Sequence, residues 1–121
     1  MYILASNPVV SLPDSSFVKA ALRKLELLVV QDVFLTETAK LAHVILPGST
    51  LYECEGTINA VDGGCVELKK AFNAPKDAKE DWRIICEVAK SCGVSQGFDY
   101  RSAEEVFEEL KSATRETIRS L

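Results

Sequence analysis

Three short apolar runs, each halted by polar or ring-constrained residues, restrict this chain more than any other feature. Tyr2-Ile3-Leu4-Ala5 stops at Ser6-Asn7-Pro8, Leu27-Leu28-Val29-Val30 stops at Gln31-Asp32, and His43-Val44-Ile45-Leu46 stops at Pro47-Gly48. Continuous apolar runs of this length suit parallel strands covered on both faces, because half-exposed strands alternate apolar with polar residues. Between the first two runs, Asp14 or Ser15 is placed to cap a helix. Its apolar residues Phe17, Val18, Ala21, Leu22 and Leu25 repeat at helical spacing, with Lys19, Arg23 and Lys24 on the other face. Between the second and third, Thr36 or Thr38 opens a short helix that ends at Ala42. Residues 1–47 therefore read β-α-β-α-β, which the right-handed crossover rule makes one half of a doubly wound sheet.

The pattern changes after Pro47. Gly56, Gly63 and Gly64 lie among Thr57, Ile58, Val61, Cys65, Val66 and Leu68, which predicts a β-hairpin turning at Asp62-Gly63-Gly64. Asn73-Ala74-Pro75-Lys76-Asp77 reads as a linker. A helix follows over 78–91, with Trp82, Ile85, Val88 and Ala89 inward and Gly93 as its stop. Ser102-Ala103-Glu104-Glu105 has the form of a capping box for a last helix whose apolar stripe is Val106, Phe107, Leu110 and Ile118. Glu104, Glu105, Glu108 and Glu109 form a solvated face, with Lys111 and Arg115 at pairing distance along the helix. The expected fold class is α/β: a three-layer, mostly parallel open sheet with a β-hairpin insertion and two C-terminal helices, in one domain over residues 1–121.

Bulk composition excludes several classes of function. At 121 residues with 47% hydrophobic and 26% charged, the chain has the balance of a soluble globular domain. Its net charge of −4, with Lys and Arg spread along helices, gives no footprint for nucleic acid. No apolar run approaches the roughly 20 residues of a membrane span, and Met1-Tyr2-Ile3-Leu4 is no signal peptide, so a cytoplasmic location without membrane insertion is expected. Cys54, Cys65, Cys86 and Cys92 contain no C-x-x-C pair and read as free thiols rather than metal ligands. His43, the single histidine, has no neighbouring motif that would make it a base and reads as a strand-end residue.

Asn7, Gln31, Asp32 and Thr36 fall just past the ends of two strands that should be neighbours, where an open α/β sheet forms its ligand crevice. A carboxylate beside amide and hydroxyl groups can read a guanine edge or a ribose; the same residues can equally cap helices and satisfy turn amides. The order of motifs is informative here. Ala5-Ser6-Asn7-Pro8, Gln31-Asp32-Val33-Phe34-Leu35-Thr36, Ala42-His43-Val44-Ile45-Leu46-Pro47, Glu53-Cys54-Glu55-Gly56-Thr57 and Asp81-Trp82-Arg83-Ile84-Ile85 occur in series over about residues 2–110. That series resembles the molybdopterin-guanine-dinucleotide oxidoreductases, above all the formate dehydrogenase catalytic subunit.

The resemblance implies molybdopterin guanine dinucleotide as cofactor, with Asp32 and Thr36 at its guanosine end and Asn7 and Gln31 alongside. It implies a two-electron oxidation of formate, or its reverse, carried out with a metal ligand, an iron-sulfur cluster and a second dinucleotide site supplied by remaining domains or subunits. The sequence departs from the family pattern at Ala5, which replaces a turn glycine, and at His43, which replaces an aspartate. It departs again at Asp62-Gly63-Gly64-Cys65-Val66, where an Arg and a Gln are usual. Two functions follow. The chain is a fragment or separate subunit of a formate-dehydrogenase-like enzyme, inactive alone, or it is a degenerate non-catalytic scaffold or binding module of an electron-transfer complex. An exposed sheet edge would also allow a homo-oligomer.

Overall fold

The computed structural model describes residues 1–61, 64–75 and 77–119, with the side chains of residues 59 and 115–119 outside that description. The chain forms two compact units, Met1–Thr50 with Ala74–Asp81 and Leu51–Asn73 with Trp82–Leu121.

In the first unit, strands β1 (Tyr2–Leu4), β2 (Val29–Asp32) and β3 (Val44–Pro47) form a parallel sheet in the order β1-β2-β3. Tyr2, Ile3 and Leu4 pair with Val29, Val30 and Gln31, which pair in turn with Val44, Ile45 and Leu46. The first connection is two helices rather than one. Asn7, kept out of the helical region by the proline after it, precedes a single turn α1 (Pro8–Ser11) with Pro8 at its first position. Asp14 then caps α2 (Ser15–Leu22) by accepting the Phe17 amide at 3.0 Å. The second connection is a 3-10 turn at Ala39–Leu41.

Steps from β1 to β2 to β3 in one direction, each with a right-handed crossover, must put both connections on the same face of the sheet. Val9 of α1, Leu22 of α2 and Ala39 of the 3-10 turn accordingly share one buried cluster with Leu28 and Val30, and Ile3, Val18, Leu25 and Leu41 pack against it. The opposite face is less covered than the apolar runs imply: Tyr2, Leu4 and Val44 remain 40%, 41% and 43% exposed.

The expected apolar stripe of α2 is narrower than drawn from the sequence. Val18, Leu22 and Leu25 face the core, whereas Phe17 is 70% exposed and Ala21 is also exposed. A helix of two turns buries one i, i+4 row, and the neighbouring row at Phe17 and Ala21 turns outward. Leu27 likewise lies outside β2 and is exposed, while Leu28 is fully buried. His43 stands immediately before β3, as expected of a strand-end residue. Its Nδ1 accepts the Leu28 N–H at 2.9 Å and its own N–H donates to the Leu28 carbonyl at 2.8 Å, so it closes the amino end of the β2–β3 pair.

The second unit contains an antiparallel pair, β4 (Gly56–Asn59) and β5 (Cys65–Leu68), and two helices, α3 (Asp81–Ser91), whose first residue belongs to the first unit, and α4 (Ala103–Arg119). The Asp62-Gly63 part of the expected hairpin turn lies outside the described residues, as do Lys76 of the expected linker and the side chains of Arg115 and Ile118. Gly93, at φ +84, ends α3, with the Val94 amide bonded back to the Ala89 carbonyl. The buried residues of α3 are Ile84 and Cys86, with Trp82, Val88 and Ala89 partly covered; Ile85 is 39% exposed, contrary to its expected inward position. The cap of α4 forms on Ser102 as expected, but the returning carboxylate takes the amide one residue earlier than in a standard capping box. Ser102 Oγ accepts the Glu105 amide at 3.3 Å, and the Glu105 carboxylate reaches back to the Arg101 amide at 2.8 Å. Leu110, expected in the apolar stripe, is 60% exposed.

Ala5 has φ +46, a left-handed conformation that costs a residue with a Cβ roughly 1–2 kcal/mol. Its amide still extends the β1–β2 ladder by bonding to the Gln31 carbonyl at 2.9 Å, so the turn is held despite that cost. Ala5→Gly should therefore stabilise the chain by about 0.5–1 kcal/mol after the greater freedom of glycine in the unfolded chain is subtracted. Equilibrium urea unfolding checks this; an unchanged or lower midpoint would contradict it.

Candidate functional site

The carboxyl ends of β1, β2 and β3 gather the polar residues that the sequence singles out, and the structure sorts them into two groups. Gln31 belongs to the first. Its side chain is fully buried beside the half-exposed Tyr2 on the same face of the sheet. The Tyr2 hydroxyl donates to Gln31 Oε1, and Gln31 Nε2 donates to Asp81 Oδ1 at 2.6 Å and to the Asp81 carbonyl at 3.3 Å. Both ends of the amide are thus consumed inside the protein, and the Gln31 side chain presents no surface to a ligand.

Asp81 reaches this position because residues 78–80 run beside the end of β3. Lys79 donates its amide to the Pro47 carbonyl at 3.1 Å, and the Ser49 amide donates to the Lys79 carbonyl at 2.8 Å. Gly48, paired across this short bridge, is required for a steric reason: a Cβ there would lie 2.9 Å from Asp81 Oδ1, the oxygen that Gln31 holds. Gly48 also donates its amide to the Asp32 carbonyl at 3.1 Å, which carries the β2–β3 pairing one step past the strands.

Asp32, Asn7 and Thr36 form the second group. Asp32 Oδ1 accepts the Phe34 amide at 3.1 Å in an Asx turn, and among the described residues Oδ2 has no hydrogen-bond partner. Thr36 Oγ1 accepts the Ala39 amide at 3.1 Å and caps the 3-10 turn, leaving its hydroxyl proton to be donated. Asn7 Oδ1 accepts from both the hydroxyl and the amide of Thr38, at 2.7 and 3.3 Å, while its Nδ2 has no partner among the described residues. All three residues are partly accessible. The structure brings Asn7 together with Thr38, and sets Asp32 and Thr36 two residues to either side of Phe34, which is 72% exposed.

Thr38, which holds the Asn7 side chain, is the residue of this region that sequence reasoning missed. It is fully buried and bonded to a residue 31 positions earlier, and only its place as a possible helix start was visible in the sequence. The cleft of about 700 Å³ in the second unit, between the β4–β5 pair and the start of α4, was also not foreseen. Glu55, Glu67, Glu104, Lys69, Lys70 and Lys111 are among its lining residues, so its walls have no dominant charge.

The leftover atoms suit the nucleotide end of a pterin dinucleotide: a carboxylate oxygen to accept, an amide NH2 and a hydroxyl to donate. Among the described residues, no group of three or more His, Cys, Asp or Glu side chains could hold a metal, and no helix is long and apolar enough to cross a membrane.

The Tyr2 phenol is held above its ordinary value, first by burial and then by the negative charge of Asp81. The folded state therefore favours the neutral phenol. That contribution is complete below the unfolded value of about 10 and is lost as pH rises through the raised folded value. Asp81→Asn keeps an oxygen for Gln31 and removes the charge, so the Tyr2 ring signals should titrate at lower pH than in the unmodified chain. An unchanged or higher titration midpoint, followed by NMR, would refute the charge coupling.

Several known proteins are similar to this chain. The assimilatory nitrate reductase catalytic subunit of Bacillus subtilis is 44% identical over 115 residues, 95% of this chain and 16% of the relative. The F420-dependent formate dehydrogenase subunit alpha of Methanocaldococcus jannaschii is 44% identical over 114 residues, 94% of this chain and 17% of the relative. Formate dehydrogenase H of Escherichia coli is 38% identical over 110 residues, 91% of this chain and 15% of the relative. The chain thus spans about one-sixth of the length of the first two of these relatives. Nitrate and formate enzymes are equally similar, which widens the expectation of a formate dehydrogenase alone. The family profile for molybdopterin oxidoreductases matches residues 1–91, and the chain belongs to that family.

Proposed function

We propose that this chain supplies part of the site for the guanosine end of a molybdopterin guanine dinucleotide, within an oxidoreductase of the formate dehydrogenase or nitrate reductase type. The observation that carries this reading is the pair of unspent polar atoms at adjacent strand ends, Asp32 Oδ2 and Asn7 Nδ2, with the Thr36 hydroxyl beside Asp32 in sequence. Asp32 would accept from the base or the ribose, Asn7 would donate, and Thr36 would donate to a nearby oxygen. Gln31 acts as a positioning residue: it fixes the end of β2, and so the place from which Asp32 projects.

When bound, the molybdenum-pterin group supplies the redox chemistry, and the residues of this chain bind and orient its nucleotide end. Turnover then requires the remaining domains or subunits of the enzyme. The half-exposed apolar residues Tyr2, Leu4 and Val44 on the open sheet face favour such a neighbour, since covering them removes apolar surface from water.

One observation favours the alternative of a non-catalytic scaffold. Cys65 and Val66 are exposed on β5, in the segment where the resemblance leads one to expect Arg and Gln, and neither can replace the bidentate hold of a guanidinium on an anion. Titration with GMP while following backbone NMR signals separates the two readings. Perturbation centred on Asn7, Asp32 and Thr36 is expected for a guanosine site. No shift at millimolar nucleotide would reject that site and leave the scaffold.

A further inference from the structure

We propose that the cleft of the second unit is a docking groove for a short, mixed-charge polypeptide segment of a partner subunit. It involves a different part of the chain from the nucleotide crevice and stands whether or not that crevice accepts guanosine.

One wall of the groove is a single side of α4. Glu104, Phe107, Glu108 and Lys111 are spaced i, i+3, i+4 and i+7, which stacks them along one side of the helix. The other wall is the open end of the β4–β5 pair, where Gly56 faces Leu68 and Thr57 faces Glu67, followed by Lys69 and Lys70. The walls meet where β4 starts: a Cβ on Gly56 would touch the Ala103 side chain at 3.7 Å, so the strand begins against the first turn of α4. Gly56 brings no side chain to its pair with Leu68, and the two walls enclose a cleft of about 700 Å³.

The charges of the groove decide what fits it. Lys111 pairs with Glu108 and lies over the Phe107 ring at 4.8 Å, so these two charges are spent within the helix. Glu67, Glu104, Lys69 and Lys70 form no hydrogen bond or ion pair among the described residues. Two carboxylates and two ammoniums thus line the cleft unpaired, together with the partly buried apolar side chains of Phe107 and Leu68. An occupant must carry both signs and an apolar group. Nucleic acid and anionic lipid offer negative charge alone, which Glu67 and Glu104 would oppose. A polypeptide supplies a base, an acid and an aliphatic side chain within a few residues. The helix wall runs about 10 Å from Glu104 to Lys111, the length of about three or four residues of extended chain. Charge on both walls suits a segment that docks and leaves, and so a separate subunit, since permanent interfaces are more apolar.

Capped tetrapeptides of two leucines flanked by lysine and glutamate, in both orders, are the probe, titrated into the whole chain and followed by backbone NMR. One order should perturb Thr57, Leu68 and Phe107 and bind about fivefold tighter than the peptide with lysine at both ends or with glutamate at both ends. Glu104→Lys, at an exposed position, should weaken the mixed probe about fivefold and strengthen the glutamate-only probe. Lys69→Glu combined with Lys70→Glu should also weaken the mixed probe and should strengthen the lysine-only probe. This exchange of preference distinguishes docking from a loss of fold, which would weaken every probe alike. Single-sign probes that bind as tightly as the mixed one, shifts confined to residues outside the cleft, or no shift at millimolar peptide would overturn the assignment. Self-association of the chain that Glu104→Lys abolishes would overturn it too, by giving the groove to a second copy.

Discussion

The buried amide of Gln31 is the constraint on which the first unit depends. A glutamine with no exposed surface is tolerated only when its acceptor and its donors are all satisfied, because each unmet group would cost about 1–3 kcal/mol. Tyr2 meets the acceptor and Asp81 the donors, so one side chain joins β1, β2 and the segment that returns beside β3. The requirement spreads outward. Gly48 must lack a Cβ to leave room for the Asp81 oxygen that Gln31 holds, and Tyr2 must stay protonated to remain a donor.

Adjacent residues at the end of β2 therefore serve opposite ends. Side chains alternate along a strand, so Gln31 and Asp32 cannot share a face. Gln31 turns into the network beneath Tyr2, and Asp32 turns into the loop, where the Phe34 amide takes one carboxylate oxygen and leaves the other. Asn7 repeats the arrangement with an amide: its oxygen is spent on Thr38 and its nitrogen is left over. In each case a protein donor consumes one atom of a bifunctional group and so fixes what the remaining atom offers. Under the proposed reading, preorganisation of this kind would lower the ordering cost of binding, since these side chains are already held by protein donors.

Most of the architecture was legible because each apolar run gives way to polar or ring-constrained residues near the strand end: Ser6-Asn7-Pro8 begins two residues past β1, while Asp32 and Pro47 are the last paired residues of β2 and β3. The capping residues Asp14 and Ser102 were legible for the same local reason. Burial within helices was read too generously at Phe17, Ala21, Ile85 and Leu110, since helical spacing shows which residues share a side and cannot show how much of that side is covered. The candidate site was legible as a set of polar strand-end residues, but not in its division of roles. Nothing local distinguishes Gln31 from Asp32 as the buried member, because the partner of Gln31 lies 50 residues away. Thr38 escaped notice likewise, its partner being Asn7 on the far side of α2 in sequence.

The central claim is that Gln31 holds the frame while Asp32 serves the ligand. Equilibrium unfolding and GMP titration of Gln31→Leu and Asp32→Asn, run side by side, test it most directly. Gln31→Leu should lower stability by about 1–3 kcal/mol, the cost of losing a bond to a charged partner. Asp32→Asn should leave stability within about 0.5 kcal/mol and weaken GMP by at least about tenfold. Equal losses of stability in the two variants, or undiminished GMP binding by Asp32→Asn, would contradict the account.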